Sequence, residues 1–400
     1  MIGTERNGQN YMKSAISNAI DAISAELWEI NEYMYQNPEL GYEEKLACEK
    51  LAAYLKSKGF SVETGVAGLP TAFQAVYDSG KPGASVAFLC EYDALPDIGH
   101  GCGHNMVAVM GAGAGIGLKS VIEETGGKVY VFGTPAEESH GGKVVMTDAG
   151  LFDGMDFCLM LHPGPHSEES GEGLAMNAFE FNYHGKSAHA SISPEQGISA
   201  LDSVIHLFNG ISTYRQFITN DARIHGVITD GGKAPNVIPD FASAKFYVRA
   251  TTREYLDELN KRVLEIAEGA AKMTGATVEI KSCENSFDNL ISNSAMSQAW
   301  CKNMRELGLG EISPAVRVMG SSDIGNVSQR VPTIHAFIGM DEPTFVWHTK
   351  EAADFSVGEK GRDKIIRGAK SLAYTGFDLL TDEQLAQKVK MEFSRRTERQ

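Results

Sequence analysis

The chain has 400 residues, more than a single hydrophobic core usually serves, so we expect two domains. Hydrophobic residues make up 42% and charged residues 22% of the sequence, which excludes a disordered, collagen-like or coiled-coil protein. The net charge of −16 would repel phosphate backbones, so we expect no nucleic-acid partner.

No stretch reaches the ~18 consecutive apolar residues of a membrane-spanning helix, so we expect no membrane partner. The N-terminal sequence MIGTERNGQNYMKS lacks the apolar segment of a secretory signal. The six cysteines are too few for a disulfide scaffold in a chain of this length. These features together predict a cytoplasmic protein.

Two helices are expected first. Apolar residues recur at steps of three and four from Ile16 to Met34, and Asn37-Pro38 ends this helix. A second helix is expected from about Tyr42 to a residue before Gly59.

Three continuous apolar runs then predict buried strands of a parallel sheet covered by helices. They are Ser85–Cys90, Lys128–Phe132 and Asp156–Leu161. A helix from about Asn105 to Glu124 lies between the first two. Its run GAGAGIG does not have the G-x-G-x-x-G spacing, which favours close helix packing over a dinucleotide site.

The pattern changes between residues 175 and 285, where the order βαββαβ is typical of a ferredoxin-like fold. The expected elements are Ala178–His184, Gly197–Phe217, Arg223–Thr229, Phe241–Ala250, Arg253–Thr274 and Ala276–Lys281. Strands at Ala315–Met319 and Thr333–Ile338 and a helix from Glu359 follow. We therefore predict an α/β domain formed by residues 1–174 and 286–400, interrupted by an α+β domain at residues 175–285.

Potential metal ligands follow each of the three buried strands. Cys102 and His104 come after the first, Glu137-Glu138 after the second, and His162 after the third. Ligands of open α/β sheets bind at the carboxyl ends of the strands, and this set of donors suits zinc.

Each of these residues also has a structural interpretation. Cys102 and His104 could be a buried thiol and a surface imidazole in a turn, Glu137-Glu138 an acidic step at a helix N-terminus, and His162 a core histidine. Beside a metal, however, one of two adjacent carboxylates can bind the ion while the other transfers protons. The repeated placement at strand ends favours the metal site.

Further segments make the pattern specific. They are, in order, NPELGYEE (37–44), EYDALP (91–96), GCGHN (101–105), GTPAEE (133–138), LHPG (161–164), HGKSAHAS (184–191), GGKAPNVIPD (231–240), GSSDIGNVS (320–328) and WHTKEAADF (347–355). With these segments the chain resembles the aminoacylase and glutamate-carboxypeptidase family of two-metal hydrolases. It is most similar to the branch with a cysteine ligand, which includes p-aminobenzoyl-glutamate hydrolases, indole-acetyl-amino-acid hydrolases and dipeptidases.

The resemblance implies a site for two divalent ions, with Zn, Mn or Co as the metal. Cys102 would bridge the ions, His104 and His162 would bind one, and Glu138 and His348 the other. Glu137 would be the general base, and Asp93 would orient a ligand imidazole.

The inserted domain would be a lid through which a homodimer forms. His189 would stabilise the oxyanion in the partner's site, and Asn236 and Arg249 would hold the substrate's carboxylate. Asn105 stands where many relatives have Asp, and Glu91 where other branches have a histidine ligand. The imidazole of His100 is a further candidate for contact with the metal or the substrate, and it is less favoured than the residues above.

The first hypothesis is a metal-dependent hydrolase that cleaves the amide bond of a small N-acyl amino acid or dipeptide. A non-catalytic metal-binding or regulatory protein on the same fold is the second, and a carboxypeptidase acting on longer peptides is the third. The sequence leaves the acyl group, the amino acid and the native metal open.

Overall fold

A computed structural model describes residues 2–315, 320–342 and 345–397. Two compact units are present, one formed by Met1–Glu172, Ile291–Arg317 and Asn326–Gln400, the other by Gly173–Leu290 and Val318–Gly325. Each unit has its own cluster of buried apolar side chains. Within the described residues, no helix combines the length and apolarity needed to span a membrane.

The helices, in chain order, are α1 (Ile2–Ala22), α2 (Ser24–Gln36), α3 (Lys45–Ser57), α4 (His104–Lys119), α5 (Ile122–Thr125), α6 (Gly142–Asp148), α7 (Ala200–Tyr214), α8 (Arg253–Thr274), α9 (Ser294–Glu306), α10 (Ile324–Ser328), α11 (Lys350–Phe355), α12 (Glu359–Thr381) and α13 (Glu383–Thr397). The strands are β1 (Ser61–Thr64), β2 (Phe73–Asp78), β3 (Ser85–Cys90), β4 (Lys128–Gly133), β5 (Phe157–Gly164), β6 (Ala175–His184), β7 (Arg223–Asp230), β8 (Phe241–Ala250), β9 (Thr277–Ser282) and β10 (Thr333–Gly339).

The sheet of the first unit has the strand order β1-β2-β4-β3-β5-β10 in the described part of the chain. The strands β4, β3, β5 and β10 run parallel, and β1 and β2 pair antiparallel at one edge. Cys90 at the end of β3 pairs with Gly133 at the end of β4, so the residues that follow both strands emerge together. The expected mostly parallel, helix-covered sheet is confirmed, and this register sets the position of the site.

The helix α4 explains the run of small residues. Its residues from His104 to Leu118 are all buried, and it packs against α12, α2 and the sheet. A Cβ on Gly115 would lie 2.3 Å from Val131 of the sheet, and one on Gly117 would lie 2.6 Å from Ile20 of α1. Both distances are shorter than atoms can approach, so the glycines permit close packing on two sides of the helix, as the sequence predicted.

The second unit contains an antiparallel sheet of order β7-β8-β6-β9, against which α7 and α8 pack. The chain order βαββαβ and this strand order match the expected ferredoxin-like pattern. The bounds of β8 and α8 are those predicted from the sequence. The division of the chain at residues 174 and 286 remains a prediction.

Several local expectations were wrong. The first expected helix is two helices, because Ile23 leaves the helical conformation at φ −104° and ψ 6°. The second begins at Lys45 rather than Tyr42, whose φ of 65° is left-handed. The strand β5 continues through His162, so this imidazole lies within the strand and not after it. The strand expected at Ala315–Met319 lies, apart from Ala315, outside the described residues.

Candidate metal centre

The loop that carries Cys102 is shaped by the glycines on both sides of it. Gly103 has a φ of 84° and is the N-cap of α4, and a Cβ there would lie 2.4 Å from Pro163. The carbonyl oxygen of Gly101 accepts the backbone N–H of His348 at 2.9 Å. This bond fastens the distant C-terminal turn with His348 to the cysteine loop.

His104 is oriented by Asp93. Its Nδ1 lies 2.9 Å from Asp93 Oδ1 and 3.1 Å from the carbonyl oxygen of Asp93, and because a carbonyl oxygen only accepts, Nδ1–H is the donor. The other oxygen of Asp93 accepts the backbone N–H of Glu138 at 2.8 Å. Asp93 therefore connects two candidate ligands and leaves Nε2 of His104 free to bind a metal ion.

His162 is fixed in the same way at the end of β5. Its Nδ1 lies 2.7 Å from the carbonyl oxygen of Pro163, and its Nε2 lies 3.6 Å from the sulfur of Cys102. Burial and the nearby charge of His104 lower the pKa of His162 to about 4. A neutral imidazole of this kind has a lone pair available for a metal ion.

Glu137 and Glu138 follow a turn in which Ala136 has a φ of 61°, an unusual conformation for a residue with a side chain. The buried carboxylate of Glu44 accepts the N–H of Ala136 at 2.8 Å and thereby holds this turn. Burial raises the pKa of Glu44 to about 7. The sequence placed Glu44 inside a helix, and its role in this turn was not foreseen.

Glu138 and His348 meet at the surface of the site. His348 Nε2 lies 3.4 Å from Glu138 Oε1, and His348 has a left-handed φ of 64°. Burial opposes ionisation of Glu138, but the adjacent imidazole of His348 and the charge of His104 lower its pKa to about 2. The carboxylate of Glu138 in turn raises the pKa of His348.

The five candidate ligands form two triads, which share the sulfur atom of Cys102. Ligand atoms of Cys102, His104 and His162 lie within 4.8 Å of one another, and so do those of Cys102, Glu138 and His348. Within the described part of the chain, His104 Nε2 and Glu138 Oε1 are buried and make no hydrogen bond. A thiolate, three imidazoles and a carboxylate are the donors that zinc-type ions prefer, so the residues fit a metal centre.

Glu137 lies beside this centre. One of its oxygens is 4.0 Å from His104 Nε2, and Glu137 forms a further group with His104 and Glu138 within 4.8 Å. The structure therefore brings the expected general base and the expected ligands together at one edge of the sheet.

A buried ion pair adjoins the centre and was not predicted. Lys143 Nζ donates to Glu91 Oε1 at 2.6 Å, and both side chains are at most 1% exposed. Burial opposes ionisation of Glu91, but the charges of Lys143 and His104 lower its pKa to about 2. His100 is also buried, and burial lowers its pKa to about 4.

The remaining expected site residues lie in the second unit. His189 and Asn236 are exposed on neighbouring loops, where Ala190 N–H donates to the carbonyl oxygen of Asn236 at 3.0 Å. Arg249, near the end of β8, donates from Nη1 to Ser321 Oγ at 2.9 Å and lies over the ring of Tyr247.

The sequence model of peptidase family M20/M25/M40 matches residues 74–375. The chain belongs to this family. The resemblance inferred from the motifs is thereby confirmed, and the protein is a hydrolase of the M20 peptidase type.

Curated relatives match over nearly their full length. The Xaa-Arg dipeptidase of Mus musculus is 34% identical over 96% of this chain and 92% of its own. One of the p-aminobenzoyl-glutamate hydrolase subunits of Escherichia coli (strain K12) is 30% identical over 96% of this chain and 95% of its own.

Solved structures share the fold. A putative aminohydrolase from methicillin resistant Staphylococcus aureus has a TM-score of 0.73 at 21% identity, over 92% of this chain and 100% of its own. The Bacillus subtilis YXEP protein is described as a dinuclear metal binding peptidase from the M20 family. It has a TM-score of 0.62 at 20% identity, over 88% of this chain and 98% of its own.

Proposed function

We propose that this M20-type protein is a two-metal hydrolase that cleaves the amide bond of a dipeptide or N-acyl amino acid. The observation that carries the proposal is the sulfur of Cys102, which belongs to both ligand triads. A single thiolate shared by two sets of donors is what a pair of bridged cations requires. The description of the structurally similar YXEP protein as dinuclear supports this arrangement.

In this proposal Cys102 would be shared by the two ions, His104 and His162 would hold one, and Glu138 and His348 would hold the other. Zinc fits this mixture of sulfur, nitrogen and oxygen donors, and manganese and cobalt are the alternatives. The bonds from Asp93 to His104 and to the backbone of Glu138 support the ligands before a metal binds.

The proposed chemistry is attack of water on the scissile carbonyl. When bound, divalent ions would polarise that carbonyl and lower the pKa of water. Glu137 would accept the proton of the attacking water and return it to the leaving amine. The distance of 4.0 Å between one of its oxygens and His104 Nε2 supports this role.

Substrate residues are proposed in the second unit. Arg249 would pair with the free carboxylate of the substrate, Asn236 would donate to the same group, and His189 would stabilise the oxyanion. The exposure of His189 and Asn236 in this unit leaves both available to a ligand. An Xaa-Arg dipeptidase and a p-aminobenzoyl-glutamate hydrolase among the relatives support a small substrate that ends in a carboxylate.

We also propose a homodimer formed through the second unit. The strand β7 lies at the edge of its sheet and exposes Val227 and Ile228, which favours pairing with another strand. His189 would then act in the site of the partner subunit.

A cytoplasmic location is supported by six free cysteines.

The proposal is tested by metal reconstitution and a substrate panel. The purified protein would be loaded separately with Zn²⁺, Mn²⁺ or Co²⁺ and incubated with dipeptides, N-acyl amino acids, p-aminobenzoyl-glutamate and longer peptides. We expect about two ions per chain and release of a free amino acid from the small substrates. Cleavage of longer peptides alone would identify a carboxypeptidase, and two bound ions without turnover of any substrate would identify a metal-binding protein.

A further inference from the structure

Glu91 is held rigidly beside the metal centre although none of the proposed steps uses it. It follows β3 directly, and its Oε1 accepts from Lys143 Nζ at 2.6 Å. Lys143 lies on α6 and is 0% exposed, and Glu91 is 1% exposed. This bond orients the carboxylate and leaves its second oxygen for another partner.

That second oxygen is buried and makes no hydrogen bond to any other described residue. It lies 3.5 Å from Nε2 of His104, the nitrogen that Asp93 does not use, and therefore faces the site. A carboxylate oxygen of Glu91 is also within 4.8 Å of one of Glu137. Buried acceptors of native proteins are nearly always paired, so an oxygen in this position points to a donor supplied by a ligand.

The two sets of ligands proposed for the pair of cations do not include Glu91. Among the described residues, Glu91 is in neither of the triads that contain Cys102. The oxygen therefore suits a group of the substrate better than the shared pair of cations. A group that would pair well with a buried carboxylate is a cationic N–H donor.

The free amine of a dipeptide is such a group and must lie close by. It is bonded to the carbon next to the scissile carbonyl, so its nitrogen is about 2.5 Å from the carbon that is attacked. Glu137 must reach the water that attacks this carbon, and Glu91 is a neighbour of Glu137. Divalent cations would repel the ammonium group, and a carboxylate beside it offsets that repulsion.

We propose that Glu91 binds the free amino group of the substrate and thereby selects dipeptides over N-acyl amino acids. The inference rests on the proposed hydrolase function and narrows its substrate class. Lys143 is a positioning residue in this arrangement, because it holds one oxygen and directs the other toward the amine.

The test compares alanyl-arginine with propionyl-arginine, which has the same carbon skeleton without the amine. The ratio of their kcat/KM values does not depend on the fraction of active enzyme. For the metal-loaded protein we expect a ratio on the order of 100 in favour of alanyl-arginine. In Glu91→Gln the ratio should fall to within about threefold of one, because only the dipeptide loses an interaction. Glu123→Gln, the same change at an exposed carboxylate, should keep the ratio.

Glu91→Asp provides a second variant if the glutamine variant does not fold, since it keeps the charge and withdraws it by one methylene. Its ratio should be lower than that of the unaltered protein, and its metal content, measured by elemental analysis, should be unchanged. Equal kcat/KM values for the two substrates in the unaltered protein would overturn the inference. So would an equal loss on both substrates in the variants, or a loss of metal.

These outcomes separate the inference from the proposed function. Hydrolysis of propionyl-arginine and alanyl-arginine at equal rates would contradict amine selection and support the amidohydrolase. Hydrolysis of neither would contradict amine selection if the metal-loaded protein cleaved the N-acyl amino acids of the panel, and would contradict the proposed function as well if it cleaved no member of the panel.

Discussion

The two sheets of the protein hold their candidate functional residues in different ways. At the end of the parallel sheet, His104, His162 and Glu138 are each fixed by a hydrogen bond or an ion pair to a second group. In the antiparallel sheet of the second unit, His189 and Asn236 are exposed on loops. The first arrangement is preorganised for a metal, whereas the second leaves its residues free to respond to a substrate or a partner subunit.

The largest effect is expected in the candidate metal centre at the end of the parallel sheet. Glu137→Ala should lower kcat by about 10⁴-fold, because it removes the group proposed to transfer the proton, while the metal content stays unchanged. Glu123→Ala, at the surface, is the matched control. An active, metal-replete Glu137→Ala protein would end the assignment of the base.

Removal of the Cys102 sulfur, which both triads share, should weaken metal binding at both. Cys102→Ala is expected to reduce the bound metal from about two ions per chain to less than one, as measured by elemental analysis after reconstitution with zinc. Cys283→Ala changes another free thiol, in the second unit, and should retain both ions. If Cys102→Ala retained two ions, the bridge would be wrong.

Substitutions in the second unit should affect substrate binding without changing the metal content. Arg249→Met removes the proposed partner of the substrate carboxylate, so KM should rise about 100-fold with a smaller change in kcat. Arg223→Met on the neighbouring strand β7 is the control, since its guanidinium bonds to backbone carbonyl groups. An unchanged KM in Arg249→Met would remove this residue from the substrate site.

The smallest effect is expected from Glu44, whose carboxylate accepts the N–H of Ala136 in the turn before Glu137. Its pKa rises from the usual 4.5 to about 7 on folding, so between these values the folded state binds the proton more tightly than the unfolded state does. The contribution to stability is therefore present below pH 4.5 and is lost as the pH rises to 7, with a total of about 3 kcal/mol.

Glu44→Gln cannot ionise and removes this dependence. The difference in unfolding free energy between the unaltered metal-free protein and the variant should fall by about 2 kcal/mol from pH 5 to pH 8. Chemical denaturation at both pH values measures it, with Glu123→Gln as the control. A difference that does not change with pH would mean that burial does not disfavour the Glu44 carboxylate.

The sequence alone determined the architecture because hydrophobic periodicity is a local signal. The continuous runs of β3, β4 and β5 predicted the parallel sheet, and the strand and helix order of the second unit predicted its topology. The break at Ile23 and the later start of the second helix were missed, since Ile23 and Tyr42 depart from helical geometry although neither is itself a glycine or a proline. Nothing in the local pattern marks such positions.

For the site, the sequence supplied the residue types and the motifs that identify the family, but their convergence was decided by the tertiary structure. His348 follows Cys102 by more than 200 residues, and the bond from its N–H to the carbonyl oxygen of Gly101 holds it beside the cysteine loop. The pair Glu91–Lys143 and the support of Ala136 by Glu44 also join distant segments. Contacts of this kind depend on three-dimensional packing, and hydrophobic period or residue spacing does not encode them.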